Sequence, residues 1–277
     1  MNKILITAVI LLYILSCTTQ KPMQQAAIMG DYDAALADTV LAYALDHEAL
    51  YTLADTLKPI SSVKLLRYQV AKDSTMKDGD AAIVVQDSLL KKIEVYQKVC
   101  KALSHDDWEF LMVPFRYTEK NTRNIELLVV RKSRFAATMN TYAAFFGQWG
   151  FTASTNPAVV LTAIENESKL DRFRAYGYLF GYPPHAVDFF VKASVAQDAD
   201  TAKKLVPRDF FAIPVFTSEK GYFTYAVPKG YQPVAVDSAI HKKAVNTLEK
   251  YKQTREKYNA PKGLQAMKLW RAINTTQ

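Results

Sequence analysis

After a single cation, Lys3, the chain opens on an apolar run from Ile4 to Leu15 interrupted only by Thr7. At ~1.5 Å rise per residue, a helix of about 12 residues falls well short of a ~30 Å hydrocarbon core. The run has the dimensions of the apolar region of a secretion signal. Residues 1–16 are therefore read as a signal peptide, and the folded body is sought beyond them. Cys17 closes the run, and Cys100 is the only other cysteine. The body then has no internal disulfide and no cysteine-built zinc or iron–sulfur site. Cys100, among Val95, Val99 and Leu103, reads as a buried thiol.

The residues Ile14-Leu15-Ser16-Cys17 resemble the lipobox of bacterial lipoproteins: an aliphatic residue, a loosely constrained position, a small residue, then the cysteine to be lipidated. The resemblance covers the signal alone and implies lipidation, including palmitate, at Cys17. Two or more acyl chains hold a protein stably on a membrane where one does not. Residues 17–30 then form a lipidated tether. The residues after Cys17, Thr18-Thr19-Gln20-Lys21, lack the aspartate that resembles an inner-membrane sorting signal. That implies the outer membrane of the bacterial cell envelope, with the body facing the periplasm. The compartment argues against a nucleic-acid partner.

Charge is unevenly placed. The net charge is +8, and residues 239–277 hold nine Lys/Arg against two acids. A nearly neutral body thus carries a basic C-terminal segment. Such a segment gains ~1 kcal/mol per cation close to an anionic lipid surface. Lys242, Lys243, Lys250 and Lys252 are the candidate membrane-surface residues. The plainer alternative is a solvated helix face.

Periodicity predicts a long helix from Asp31 or Asp33 to about Lys58, ended by Pro59, with the stripe Leu36, Val40, Tyr43, His47, Leu50, Ala54, Leu57. Residues 61–71 have strand character, and 72–80 read as a polar loop. Residues 81–103 read as a second helix. Glu109–Tyr117 and Ile125–Arg131 form a hairpin around Glu119–Asn124. Helices are predicted over 134–148, from Pro157, over 170–180 and from Pro183-Pro184 to Val195. A second hairpin joins 210–216 to 222–228 around Ser218–Gly221. Two basic helices, about 237–258 and 262–273, end the chain. Strands arrive as hairpins rather than alternating with helices. The expectation is one α+β domain over 31–277, mostly helical with a small antiparallel sheet.

Two places could carry chemistry. The stretch from Asp171 to Phe190 contains Gly181, Pro183 and Pro184, which define a tight helix–turn–helix elbow. Arg172, Arg174, Tyr176, Tyr182 and His185 there could line a pocket for an anionic or ring-shaped ligand. The plainer reading is an aromatic core elbow whose arginines pair with Glu165, Glu167 or Asp171. His47 interrupts an apolar stripe, so it should face the core as a satisfied histidine or act with His185 and Asp188 as base or metal ligand. His105 reads as a turn or helix-end residue.

No Gly-x-Ser-x-Gly, Walker loop, dinucleotide glycine fingerprint or His-Glu-x-x-His occurs; position 51, where the second histidine would stand, is Tyr. No cofactor or bound metal is expected. The leading expectation is a membrane-tethered, non-enzymatic domain that binds a small envelope ligand or a protein partner. The alternative is a hydrolase-like or metal-dependent enzyme using His47, His185 and Asp188.

Overall fold

The computed structural model describes residues 31–69, 71–72, 83–84, 87–119, 122–261 and 263–275. The expected signal peptide, Cys17 and the expected tether lie outside the described residues, as does most of the expected loop at 72–80. Helix makes up 54% and strand 23%, with small antiparallel sheets, so the α+β class holds.

The chain begins with α1 (Asp31–Asp46) and the short α2 (Leu50–Leu53), followed by β1 (Ile60–Gln69). The continuous helix predicted to Lys58 is thus broken after Asp46. Tertiary contacts explain the break. Arg255 takes both Asp46 carboxylate oxygens, at 2.8 and 2.9 Å, and Tyr251 donates to the same group at 2.5 Å. The His47 ring holds the Tyr43 carbonyl through Nδ1 at 2.8 Å, a side-chain cap on the last turn. Tyr43 itself leaves the predicted stripe and is 47% exposed.

Two short strands, β2 (Ala71–Lys72) and β3 (Ile83–Val84), pair before α3 (Asp87–Leu103). The predicted helix start at 81 therefore moves to Asp87. Cys100 is buried on α3, and burial pushes its thiol up to about 12. His105 lies in the following turn, its backbone paired with Trp108.

Strands β4 (Trp108–Pro114) and β5 (Thr122–Arg131) form the predicted hairpin, from Trp108 opposite Arg131 to Pro114 opposite Ile125. β1 adds antiparallel to the other edge of β5, giving the order β1-β5-β4. As the central strand, β5 is buried on both faces, which its run Leu127-Leu128-Val129-Val130 requires. Leu127 and Val129 enter one cluster with Leu45, Leu53, Val99 and Trp270. Leu128 and Val130 enter a second with Val113, Phe135, Leu161 and Leu179. The sheet thus separates two cores.

The second core is built by α4 (Lys132–Thr141), α5 (Ala143–Phe146), a 3₁₀ turn (Gly147–Trp149), α6 (Pro157–Glu165) and α7 (Lys169–Leu179). The single helix predicted over 134–148 is interrupted at Tyr142, whose ring stacks on Tyr178 at 3.7 Å. Asn156 caps α6 through the Ala158 N–H at 2.8 Å, with Pro157 at the first position as predicted. Helix α8 (Pro184–Ala199) follows the elbow and runs one turn past the predicted Val195.

Strands β6 (Arg208–Val215) and β7 (Ser218–Pro228) form the second hairpin. Its turn is Phe216-Thr217 rather than the predicted Ser218–Gly221. The Thr217 N–H reaches the Asp46 carbonyl at 3.3 Å, and the Phe216 ring lies under the Arg255 guanidinium at 4.2 Å. Non-local anchors therefore set this turn. The chain closes with α9 (Ala235–Glu256), a small pairing of β8 (Asn259–Ala260) with β9 (Gly263–Leu264), and α10 (Ala266–Thr275). The Trp270 indole N–H donates to Leu53 O at 3.3 Å, and that of Trp108 to Thr52 O at 3.2 Å. Both buried indoles are thereby satisfied.

Candidate functional site

The elbow between α7 and α8 has the geometry its glycine requires. Gly181 adopts φ +78°, and a Cβ there would lie 2.5 Å from the Leu57 carbonyl oxygen. The elbow can therefore press directly on the segment leading into β1, which carries Lys58 beneath the rings of Phe180 and Tyr182.

Lys58 is fully buried. Its ammonium donates to Glu48 and lies over the rings of Phe223 at 4.5 Å, Phe180 at 5.0 Å and Tyr182 at 5.9 Å. The lysine is thus held by one carboxylate and an aromatic cage. Burial pushes its pKa below the ordinary lysine value, and Glu48 opposes the shift. Removing one partner from such a buried pair typically costs about 3–5 kcal/mol, because the other charge is left uncompensated.

Glu48 forms part of the floor of a cleft of about 520 Å³, within the roughly 300–1,000 Å³ range of ligand pockets. Helix α7 contributes Arg172, Phe173 and Tyr176; the elbow contributes Phe180 and Tyr182. Phe115 and Tyr117 come from the segment after β4, and Tyr222 from β7. The sheet contributes Ser62 and Glu126, and α6 contributes Glu165. Along β5, Val130 and Leu128 belong to the second core, and Glu126 continues that face to where the sheet meets the cleft. A register shift in β1 between Ser62 and Lys64 marks the same place on the adjoining strand.

The polar groups of the cleft are fixed by the protein. Ser62 Oγ donates to Glu126 at 2.5 Å. Burial pushes the Glu126 carboxyl above the ordinary glutamate range; the Ser62 hydrogen bond opposes this, and the charges of Glu48 and Glu165 add to it. Glu165 accepts the Arg116 backbone N–H and the Tyr176 hydroxyl, each at 3.1 Å, and lies 3.6 Å from Arg172. Burial, reinforced by Glu165, raises the Tyr176 phenol. Arg116 in turn bonds the Asn166 and Glu167 carbonyls at 2.9 Å, capping the end of α6.

Of the five ligand-binding residues expected from sequence, Arg172, Tyr176 and Tyr182 line this cleft. Arg174 and His185 have other roles. Arg174 is tied to Asp188 and Tyr178. His185 Nε2 lies 3.0 Å from the Tyr231 hydroxyl and 3.3 Å from Asp237. Asp237 is fully buried and also accepts from Tyr225 at 2.5 Å, Tyr231 at 2.6 Å and the Val234 N–H at 2.9 Å. Burial pushes its carboxyl up, but these donors more than offset that and hold it below the ordinary aspartate value. This network pins the start of α9 to β7 and α8.

His47 stacks on Tyr43 at 3.8 Å and meets the Tyr222 ring edge-on at 4.6 Å, so it buttresses one wall of the cleft from behind. His47, His185 and Asp188 each have separate partners, and no group of three metal-ligating side chains occurs among the described residues. The alternative in which the three act together finds no such cluster among the described residues: His47 caps α1, as a satisfied histidine would, His185 joins the Asp237 network, and Asp188 pairs with Arg174.

Sequence reasoning missed Lys58 and Glu126. Both carried a signal, a charge at the end of an apolar stripe and a charge inside a strand of aliphatic residues. No protein-family model matches the chain, and no curated protein or solved structure matches it.

Proposed function

We propose that residues 31–277 are the ligand-binding domain of a lipid-anchored envelope protein, and that the cleft under the α7–α8 elbow is its binding site. One observation carries this reading: the cleft is walled by aromatic rings, while Glu48, Glu165 and Arg172 are already ion-paired within the protein and Glu126 is hydrogen-bonded to Ser62. Groups fixed in advance lose little further freedom on binding, so contacts with a ligand are not offset by ordering costs. The tether follows from the lipobox resemblance at Cys17. The exposed Lys242, Lys250 and Lys252 on α9 supply a second contact to anionic lipid. Lys243 is committed to Asp55 at 2.9 Å and to Thr56 at 2.7 Å, so it is left out of that surface.

A thermal-shift screen of the full chain against small ring-bearing compounds tests the cleft. At least one compound should raise Tm in the wild type and not in Phe173→Ala. Hits that Phe173→Ala leaves unchanged, or no hit at all, would remove the cleft as the binding site.

A further inference from the structure

We propose that the cleft takes a short neutral saccharide, its rings stacked on the aromatic walls and its hydroxyls bonded to the carboxyl and guanidinium groups between them; this rests on the reading of the cleft as a binding site. The charge arrangement selects the class. Glu48 is matched by Lys58, and Glu165 by Arg172. An anionic ligand would have to take Arg172 from Glu165 and from the rings of Tyr117 and Phe173, over which the guanidinium lies at 5.8 and 6.0 Å. A cationic ligand would find one carboxyl without an ion-pair partner, Glu126, and that group is bonded to Ser62 and biased toward its neutral form by burial. A fully apolar ligand would cover the remaining acceptor sites of Glu48 and Glu126 without supplying a donor, at a cost of roughly 1–3 kcal/mol for each one left unmet.

A sugar avoids all three penalties. Its C–H faces are apolar and match aromatic faces, while its hydroxyl edges both donate and accept. A carboxylate has about four acceptor sites. Glu48 and Glu126 each give one oxygen to a protein donor, Lys58 and Ser62, and keep capacity toward the cleft. Tyr117 is 61% exposed at the rim, where a ring can stack on an entering ligand without belonging to the core.

The test is calorimetric titration of the full chain with four probes: cellotetraose and chitotetraose as neutral saccharides, a glucuronate tetramer as an anionic one, and phenethylamine as a cationic ring. Tyr117→Ala and Phe173→Ala are run beside Phe210→Ala, an exposed aromatic outside the cleft. Binding of either neutral saccharide, weakened about tenfold or more by both cleft variants and unchanged by Phe210→Ala, supports the proposal. An equal Tm for wild type and Tyr117→Ala excludes misfolding as the cause. Binding of phenethylamine or glucuronate alone, with the same sensitivity to the variants, overturns the saccharide and leaves the cleft standing as a site. Saccharide binding indifferent to both cleft variants overturns the saccharide assignment to this cleft. Failure of all four probes also overturns the saccharide, and the compound screen then decides separately whether the cleft binds anything.

Discussion

At the scale of single residues, the proposed site depends on charged groups held largely out of water. Glu126 gives the clearest measurable consequence. Burial raises its carboxyl above the ordinary range, so the folded state holds its proton to higher pH than the unfolded chain. Its contribution to stability is full below the unfolded glutamate value of about 4.3 and is lost as pH rises through the folded value. Glu126→Gln removes that loss while keeping an acceptor for Ser62. The difference in Tm between variant and wild type should be near zero at pH 4 and open in favour of the variant toward pH 8. A gap that does not change with pH would show that Glu126 titrates as it does in the unfolded chain. Lys58 illustrates why such residues are hard to find by reading along a chain. Its partners Glu48, Phe180, Tyr182 and Phe223 lie between 10 and 165 positions away, and no local pattern announces them.

At the scale of elements, the elbow between α7 and α8 was legible because glycine and proline act locally. Gly181 ends one helix and Pro184 opens the next, as their backbone preferences dictate. What lies under the elbow was not legible, and it makes Gly181 indispensable. Gly181→Ala combines a positive φ with a Cβ 2.5 Å from Leu57 O. The cost should be about 2–4 kcal/mol, seen as a fall in Tm of roughly 5–15 °C for a protein of this size. A Tm within ~1 °C of wild type would mean that the elbow does not rest on the Leu57 backbone. The same contrast explains the misplaced boundaries. The hairpin read at 109–117 and 125–131 from β-rich composition around a polar turn forms at 108–114 and 122–131, but the α1 terminus was set by Asp46 meeting Arg255, 209 positions away.

At the scale of the whole molecule, the basic C-terminal segment and the proposed lipid anchor bear on the same question, how the body would sit on a membrane. Lys242, Lys250 and Lys252 are exposed on α9, whereas Lys243 is engaged with Asp55. In the chain from Thr18 onward, which carries neither the apolar run nor the proposed lipid, changing the three exposed lysines to Gln should weaken binding to anionic vesicles by up to about 100-fold, at ~1 kcal/mol per cation. Lys243→Gln should leave that binding nearly unchanged and lower Tm instead. Equal partition of the triple variant and its parent would remove α9 from the membrane surface. The α+β class, the two main hairpins, the elbow and the burial of Cys100 and His47 were readable along the chain. These follow from periodicity, turn chemistry and apolar neighbours, all of which act within a few residues. Folding brings β1 beside β5 to complete the sheet, stops α1 at Asp46, and gathers Lys58 and three glutamates beneath an aromatic cleft. Those outcomes rest on pairings between distant segments, where burial and electrostatic compensation override local preference.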